Sequence, residues 1–139
     1  MKGVKILLKK RLQSFKYAFN GLKILFREEA NAQIHLGVAL CVSVAGFAFR
    51  ISGDEWIAVL LCIGLVISLE AINSAVENLA DFVSQAKHET IKKIKDLAAA
   101  AVLIGALVSI AVGLMVFLPK FAKVGEYIFC ITLKVMEQH

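Results

Sequence analysis

Glu70, Asn73, Ser74, Glu77 and Asp81 follow an i, i+3, i+4, i+7 pattern with one further step of four, inside one long apolar run that begins at Trp56. On a helix these five residues form one polar stripe while the other faces stay apolar. A carboxylate inside a membrane span costs about 2.5–3.5 kcal/mol on insertion scales, so two in one span point to a functional site. Carboxylates with an amide or hydroxyl at helical spacing can hold a hard cation such as Mg²⁺ through oxygen. One of them can instead act as a general base toward an alcohol. Glu28 and Glu29 stand just before the first apolar segment, and Lys95 and Asp96 just before the third. A lysine beside a phosphate supplies a point charge. Phosphoryl transfer needs little beyond metal, cation and positioning. The sequence has no G-x-x-x-x-G-K-[ST] and no kinase-type Gly-rich loop, so neither familiar nucleotide fold is expected.

The elements that must position this stripe are membrane helices. The apolar residues make up 59% of the 139-residue chain and the mean hydropathy is +0.76, well above an ordinary soluble domain. Three segments, 32–50, 56–83 and 97–118, are the expected spans of a single all-α membrane domain over 1–139. A helix crossing the ~30 Å hydrocarbon core needs about 20 residues, so the first span reaches that length only by drawing in its flank or by tilting. Pro119 and Lys120 are expected to close the third span, leaving 119–139 as a tail of unassigned role. Lysines interrupt the amino-terminal apolar positions throughout, so a cleavable signal peptide is not expected.

Eight Lys or Arg residues precede Asn31, and Lys87, Lys92, Lys93 and Lys95 follow the second span. The positive-inside rule then places the amino terminus and the second loop in the cytoplasm. Lys120, Lys123 and Lys134, on the far side by this scheme, run mildly against it. The net charge of +5 reads as topology and attraction to anionic lipid rather than nucleic-acid binding. Residues 4–27 carry Leu8, Leu12, Phe15, Phe19, Leu22 and Phe26 at steps of four and three, with Lys2, Lys9, Lys16 and Lys23 every seven residues. That pattern predicts an amphipathic helix lying in the cytoplasmic interface. With Trp56 as an outer anchor, Glu70 lies about 21 Å and Glu77 about 31 Å along the second span, at the cytoplasmic end, where a lipid and a nucleotide can meet.

The run Glu70-Ala-Ile-Asn73-Ser74-Ala-Val-Glu77 followed by Asp81 resembles the signature of the bacterial integral-membrane diacylglycerol kinase and undecaprenol kinase family. The resemblance covers about residues 11–119. It includes Ser14-Phe-Lys-Tyr17-Ala-Phe-Asn-Gly21, Glu29-Ala-Asn31-Ala-Gln33-Ile-His35-Leu, His88-Glu89 and Lys95-Asp96-Leu-Ala-Ala-Ala-Ala-Val-Leu. It implies a small kinase, usually a homotrimer, that phosphorylates a lipid alcohol with MgATP. Under it Glu70 is the general base and Asn73 orients the reacting groups. Glu29 and Glu77 hold Mg²⁺ with the ATP phosphates. Lys95 contacts phosphate, Asp96 supports the nucleotide site, and Tyr17 and Lys10 lie near the nucleotide. Gln33 stands where the family usually carries Arg, Ala86 and Lys87 stand where an aromatic is usual near His88, and the chain continues beyond Lys120. The stretch from Asn31 to His35 is more similar to undecaprenol kinases than to the diacylglycerol kinase of Gram-negative enterics, which favours undecaprenol as acceptor over diacylglycerol.

Other residues carry blander expectations. His35 reads as an interfacial packing residue, Asn73 and Ser74 by themselves as helix-packing polar groups, and Lys92 and Lys93 as a solvated topological cluster. Asp81 reads equally as a site residue or as an interface charge or helix partner. His88 and His139 have no metal-ligand spacing with Cys41, Cys62 or Cys130, and the cysteines read as small apolar residues. Ala101, Gly105, Ser109 and Gly113 form a small-residue stripe suited to close helix approach, within one chain or between copies. Two acids are hard to bury in a thin three-helix bundle, which favours an oligomer. A proton-relay subunit would spread its acids across the bilayer, whereas these cluster at one end. A non-catalytic membrane interaction protein would not need acids in three segments.

Overall fold

A computed structural model describes residues 2–84 and 88–136, with the backbone alone for 2–8, 127, 128 and 130–135. Ala86, Lys87 and His139, and the side chains of Lys2, Leu8, Cys130 and Lys134, lie outside the described residues. Four helices follow one another: α1 over Lys2–Glu28, α2 over Ala30–Ala48, α3 over Gly53–Val83 and α4 over Glu89–Met136. Among the described residues all regular structure is α-helical. Ala30–Ala48, Gly53–Val83 and Glu89–Glu126 are long and apolar enough to cross a membrane. Their outward side chains are those of spans: Phe47, Leu61, Phe82 and Met115 are all exposed.

A single extended residue separates α1 from α2. Glu29 has φ −102° and ψ 111°. Its N–H still donates to the Leu25 carbonyl and its own carbonyl accepts from the Gln33 N–H, both at 3.1 Å. The break therefore leaves few backbone groups unpaired. Gln33 reaches back to the Arg27 carbonyl at 3.4 Å. Leu25 and Ala32 are buried on either side of the elbow. The Glu29 side chain makes no cap on α2, which frees it to point elsewhere.

The α2–α3 connection is tight and doubly capped. The Ile51 N–H bonds the Gly46 carbonyl at 3.1 Å and the Arg50 N–H bonds that of Phe47 at 3.2 Å. Arg50 takes a left-handed φ of 50° between them. This is a Schellman ending with Arg where Gly is usual, and it closes α2 two residues before the expected boundary. Ser52 then opens α3 through a capping box: its hydroxyl accepts from the Glu55 N–H, and its N–H donates to the Glu55 carboxylate at 2.7 Å. Ile51, Val59 and Val116 form the buried core at this end, backed by Val42, Phe49, Trp56, Ile63, Val112 and Phe117. Trp56, expected as an interface anchor, lies half-buried over Phe47 with ring centroids 4.8 Å apart.

Pro119 does not end the last helix. α4 continues through it to Met136. A proline inside a helix removes one hydrogen bond and crowds the preceding turn. Contacts with the α2–α3 turn offset that loss: Lys120 Nζ lies 3.0 Å from Glu55 Oε1, and the Phe121 and Phe49 rings meet at 4.6 Å. α4 packs mainly on α3. At Gly105 an added Cβ would lie 2.7 Å from Leu69 Cδ1, whereas at Gly113 it would meet open space. Gly105 thus serves intrachain packing, and Gly113 is left free of it.

Gly46→Ala would place a Cβ 2.8 Å from the Trp56 ring and 3.1 Å from Ile51 Cδ1. The expected loss is about 1–3 kcal/mol of stability, read as a lower midpoint of thermal unfolding in detergent. An unchanged midpoint would show that the indole moves aside freely.

Candidate active site

Two contacts tie the start of α2 to the stripe on α3, running antiparallel. The Ser74 hydroxyl donates to Glu29 Oε1 at 2.7 Å. One and a half turns along α2, His35 Nε2 lies 3.2 Å from Glu70 Oε1. On α3 itself Asn73 Nδ2 donates to Glu77 Oε1 at 2.9 Å, and Asn78 Nδ2 donates to the Ser74 carbonyl at 2.8 Å. Glu70 is 3% exposed and Asn73 is 7% exposed. Asn73 Oδ1 is buried without a hydrogen-bond partner among the described residues. Exposure rises along the stripe, from buried Glu70 through half-buried Glu77 to exposed Asp81.

α4 meets the outer end of the stripe. Lys95 Nζ bonds both Asp81 carboxylate oxygens, at 2.9 and 3.0 Å. It also stands within electrostatic reach of Glu77. Glu77 lies two turns from Glu70 on the same face of α3, and Glu29 reaches Ser74, one turn from Glu70. One end of the molecule thus gathers Glu29, Glu70, Asn73, Glu77 and Lys95. Asp96 faces differently. It pairs with Lys92 one turn back on its own helix and, with Glu89 and Lys93, lines a separate open depression. Tyr17 and Lys10 are exposed on α1, about 18 and 28 Å of helix before Glu29 at 1.5 Å per residue. The single chain does not bring these two to the cluster.

His35 is the residue that sequence reasoning misplaced. Besides packing in the wall of an apolar cavity, it meets a carboxylate. The available signal was Glu70 itself, because a buried intramembrane acid demands a partner and the facing helix carries a histidine. Ser74 acts as the helix-packing hydroxyl expected of it, tying α3 to Glu29 at the start of α2. Asp81 proves to be the partner of Lys95.

A cavity of about 370 Å³ runs between α2, α3 and α4. Ile34, Val38, Val59, Val66 and Ile110 are among its apolar walls, and His35 stands in the wall as well. The cavity therefore adjoins the Glu70 contact. Among the described residues no three His, Cys, Asp or Glu side chains gather as metal ligands. Glu29 and Glu77, joined to neighbouring positions of α3, offer two carboxylates. A Mg²⁺ that keeps its phosphates and waters can be held by one or two carboxylates.

Residues 16–117 match the family described as prokaryotic diacylglycerol kinase. The chain belongs to this family. It is a multi-pass membrane lipid kinase. The undecaprenol kinase of Bacillus subtilis is 38% identical over 113 residues, covering 81% of this chain and 92% of that protein. A diacylglycerol kinase of Synechocystis is 35% identical over 109 residues, 78% of this chain and 62% of that protein. A diacylglycerol kinase of Helicobacter pylori is 36% identical over 98 residues, 70% of this chain and 76% of that protein. The family match stops just before Pro119, so the last turns of α4 lie beyond it.

The Asp81 side chain is 64% exposed and that of Lys95 is 34% exposed. Exposed ion pairs contribute about 0–1 kcal/mol. Asp81→Asn is therefore expected to leave thermal unfolding in detergent nearly unchanged. A large fall in the midpoint would show that this pair holds α4 on α3.

Proposed function

We propose that the protein transfers the γ-phosphoryl group of MgATP to the hydroxyl of a membrane lipid alcohol at the cytoplasmic face, with undecaprenol favoured over diacylglycerol. The carrying observation is the exposure gradient along α3. Glu70 is buried beside an apolar cavity, while Glu77 and Lys95 stand toward the charged, accessible end. A lipid hydroxyl arriving from the apolar side meets Glu70 first. Phosphates arriving from water meet Glu77 and Lys95 first.

Glu70 accepts the proton of the lipid hydroxyl as that oxygen bonds to the γ-phosphorus. The bond from the γ-phosphorus to the bridging oxygen breaks, and the electron pair leaves with ADP. Lys95 offers a positive charge to the phosphates. Asn73 orients the reacting groups: its Nδ2 fixes Glu77, and its buried Oδ1, without a hydrogen-bond partner among the described residues, is a further hard oxygen acceptor. Hard oxygen donors of this kind suit Mg²⁺, so Glu29 and Glu77 are the residues that would hold it. The ion would neutralise charge developing on the phosphates. Asp96, Tyr17 and Lys10 are proposed as further nucleotide contacts.

The lean toward undecaprenol is supported by the undecaprenol kinase relative, 92% of which the match covers, and by the residues from Asn31 to His35. A homotrimer, the assembly that the family resemblance implies, is proposed as well. The exposed Leu12, Phe15 and Phe19 on α1 support its lying on the membrane surface. The lysines of α1 and of the start of α4 favour a cytoplasmic site. Reporter fusions after residues 30 and 90 are expected to report inside, and one after residue 53 outside. A fusion at 90 that reports outside overturns the orientation.

The function is tested with purified protein, radiolabelled ATP, and undecaprenol and diacylglycerol side by side. Undecaprenol should be phosphorylated faster, and a preference for diacylglycerol would overturn the substrate assignment. In the same assay Glu70→Gln should lower turnover by about 10²–10⁴, the range for a lost general base, with nucleotide affinity little changed. Glu77→Gln should abolish turnover and weaken Mg²⁺-dependent ATP binding in a folded protein. Normal turnover of either variant refutes the role given to that residue.

A further inference from the structure

Glu70 is almost wholly enclosed, its side chain 4% exposed, and its Oε1 lies 3.2 Å from His35 Nε2 of α2. The His35 side chain is itself only 25% exposed. We infer that His35 is the positioning residue for Glu70, holding its carboxylate through an Nε2–H donor so that the other oxygen faces the acceptor hydroxyl. This rests on the reading of Glu70 as the general base.

The geometry gives three reasons. A carboxylate can rotate about its last bond, and a base must present one oxygen to its proton donor. A donor on Oε1 removes that freedom. Secondly, a carboxylate in apolar surroundings loses its hydration and needs a protein donor in exchange. His35, 3.2 Å away on a separate helix, is placed to supply one, and Ser74, one turn further along the stripe, is engaged with Glu29. Thirdly, His35 also lines the apolar cavity between α2, α3 and α4. It stands where that cavity ends and the polar stripe begins. An acceptor whose chain occupies the cavity passes His35 before its hydroxyl reaches Glu70.

In this role Nε2 carries the hydrogen and keeps it throughout turnover. The hydroxyl proton goes to Glu70 alone. A glutamine at position 35 can present an amide N–H at a similar reach, whereas an alanine cannot.

The test compares His35→Ala, His35→Gln, Glu70→Gln and the double variant His35→Ala/Glu70→Gln, each with thermal unfolding recorded. His35→Ala should lower kcat about ten- to hundredfold, the scale of a hydrogen bond to a charged group, with KM for ATP unchanged. His35→Gln should recover most of that loss. In the Glu70→Gln background His35→Ala should cost little more, because both act through one carboxylate. Parental kcat in His35→Ala overturns the inference, as does a His35→Gln variant that folds yet is no better than alanine. If unpairing Glu70 prevents His35→Ala from folding, His35→Gln and the double variant, which leaves no unpaired carboxylate, decide it. A full additional loss in the double variant relative to Glu70→Gln means His35 acts independently and overturns the inference while the general-base assignment stands. Near-normal turnover of Glu70→Gln overturns that assignment itself.

Discussion

A carboxylate inside an apolar span must be matched, and the arrangement around Glu70 follows from that need. Burying an unpaired charge is costly enough that a partner must come from a second helix. α2 supplies it in His35. To do so α2 must run beside α3 in a set register, and the compact Schellman turn and Ser52 capping box fix that register from the far end. The well-packed core around Ile51, Val59 and Val116 lies at that end. The polar end is held by directional contacts instead. This division suits the proposed entry of both substrates at the polar end.

Glu29 shows how a helix break can be used. Continuing α1 straight into α2 would leave this carboxylate on a helix face like any other. The single extended residue between the two helices turns it toward Ser74. Backbone bonding persists on both sides of the break, and Gln33 reaches across it. An amide at position 33 braces the elbow.

Much of this was legible in the sequence, because it depends on periodicity within one helix. The stripe on α3, the three apolar segments and the acids at one end follow from spacing and hydropathy. What the sequence did not disclose lies between helices. Nothing local to His35 says that Glu70 faces it. Asp81 rather than Asp96 pairs with Lys95 because the neighbours on α4 point in different directions, a matter of how α4 is rotated against α3. Pro119 was misread for the same reason. Its effect on the backbone is local, but Lys120 and Phe121 are held by contacts with the α2–α3 turn. The small-residue stripe resolved only at Gly105, where Leu69 fills the space a side chain would take.

The spacing of the acids on α3 has a consequence for the shape of the membrane boundary. Seven residues are about 20° short of two full turns, and eleven are about 20° beyond three. Glu70, Glu77 and Asp81 are therefore nearly collinear along the helix, the second slightly to one side of the first and the third slightly to the other. A polar line that wound around α3 would expose charge to lipid on every face. This one is straight, so a wedge of hydration can follow a single meridian inward while the remaining circumference stays in hydrocarbon. One inserted or deleted residue between Glu70 and Glu77 would swing everything beyond it by about 100° and break the meridian. Chemically mild substitutions elsewhere on the helix leave it intact. The site is specified by angular phase along one helix more than by the volume of any pocket.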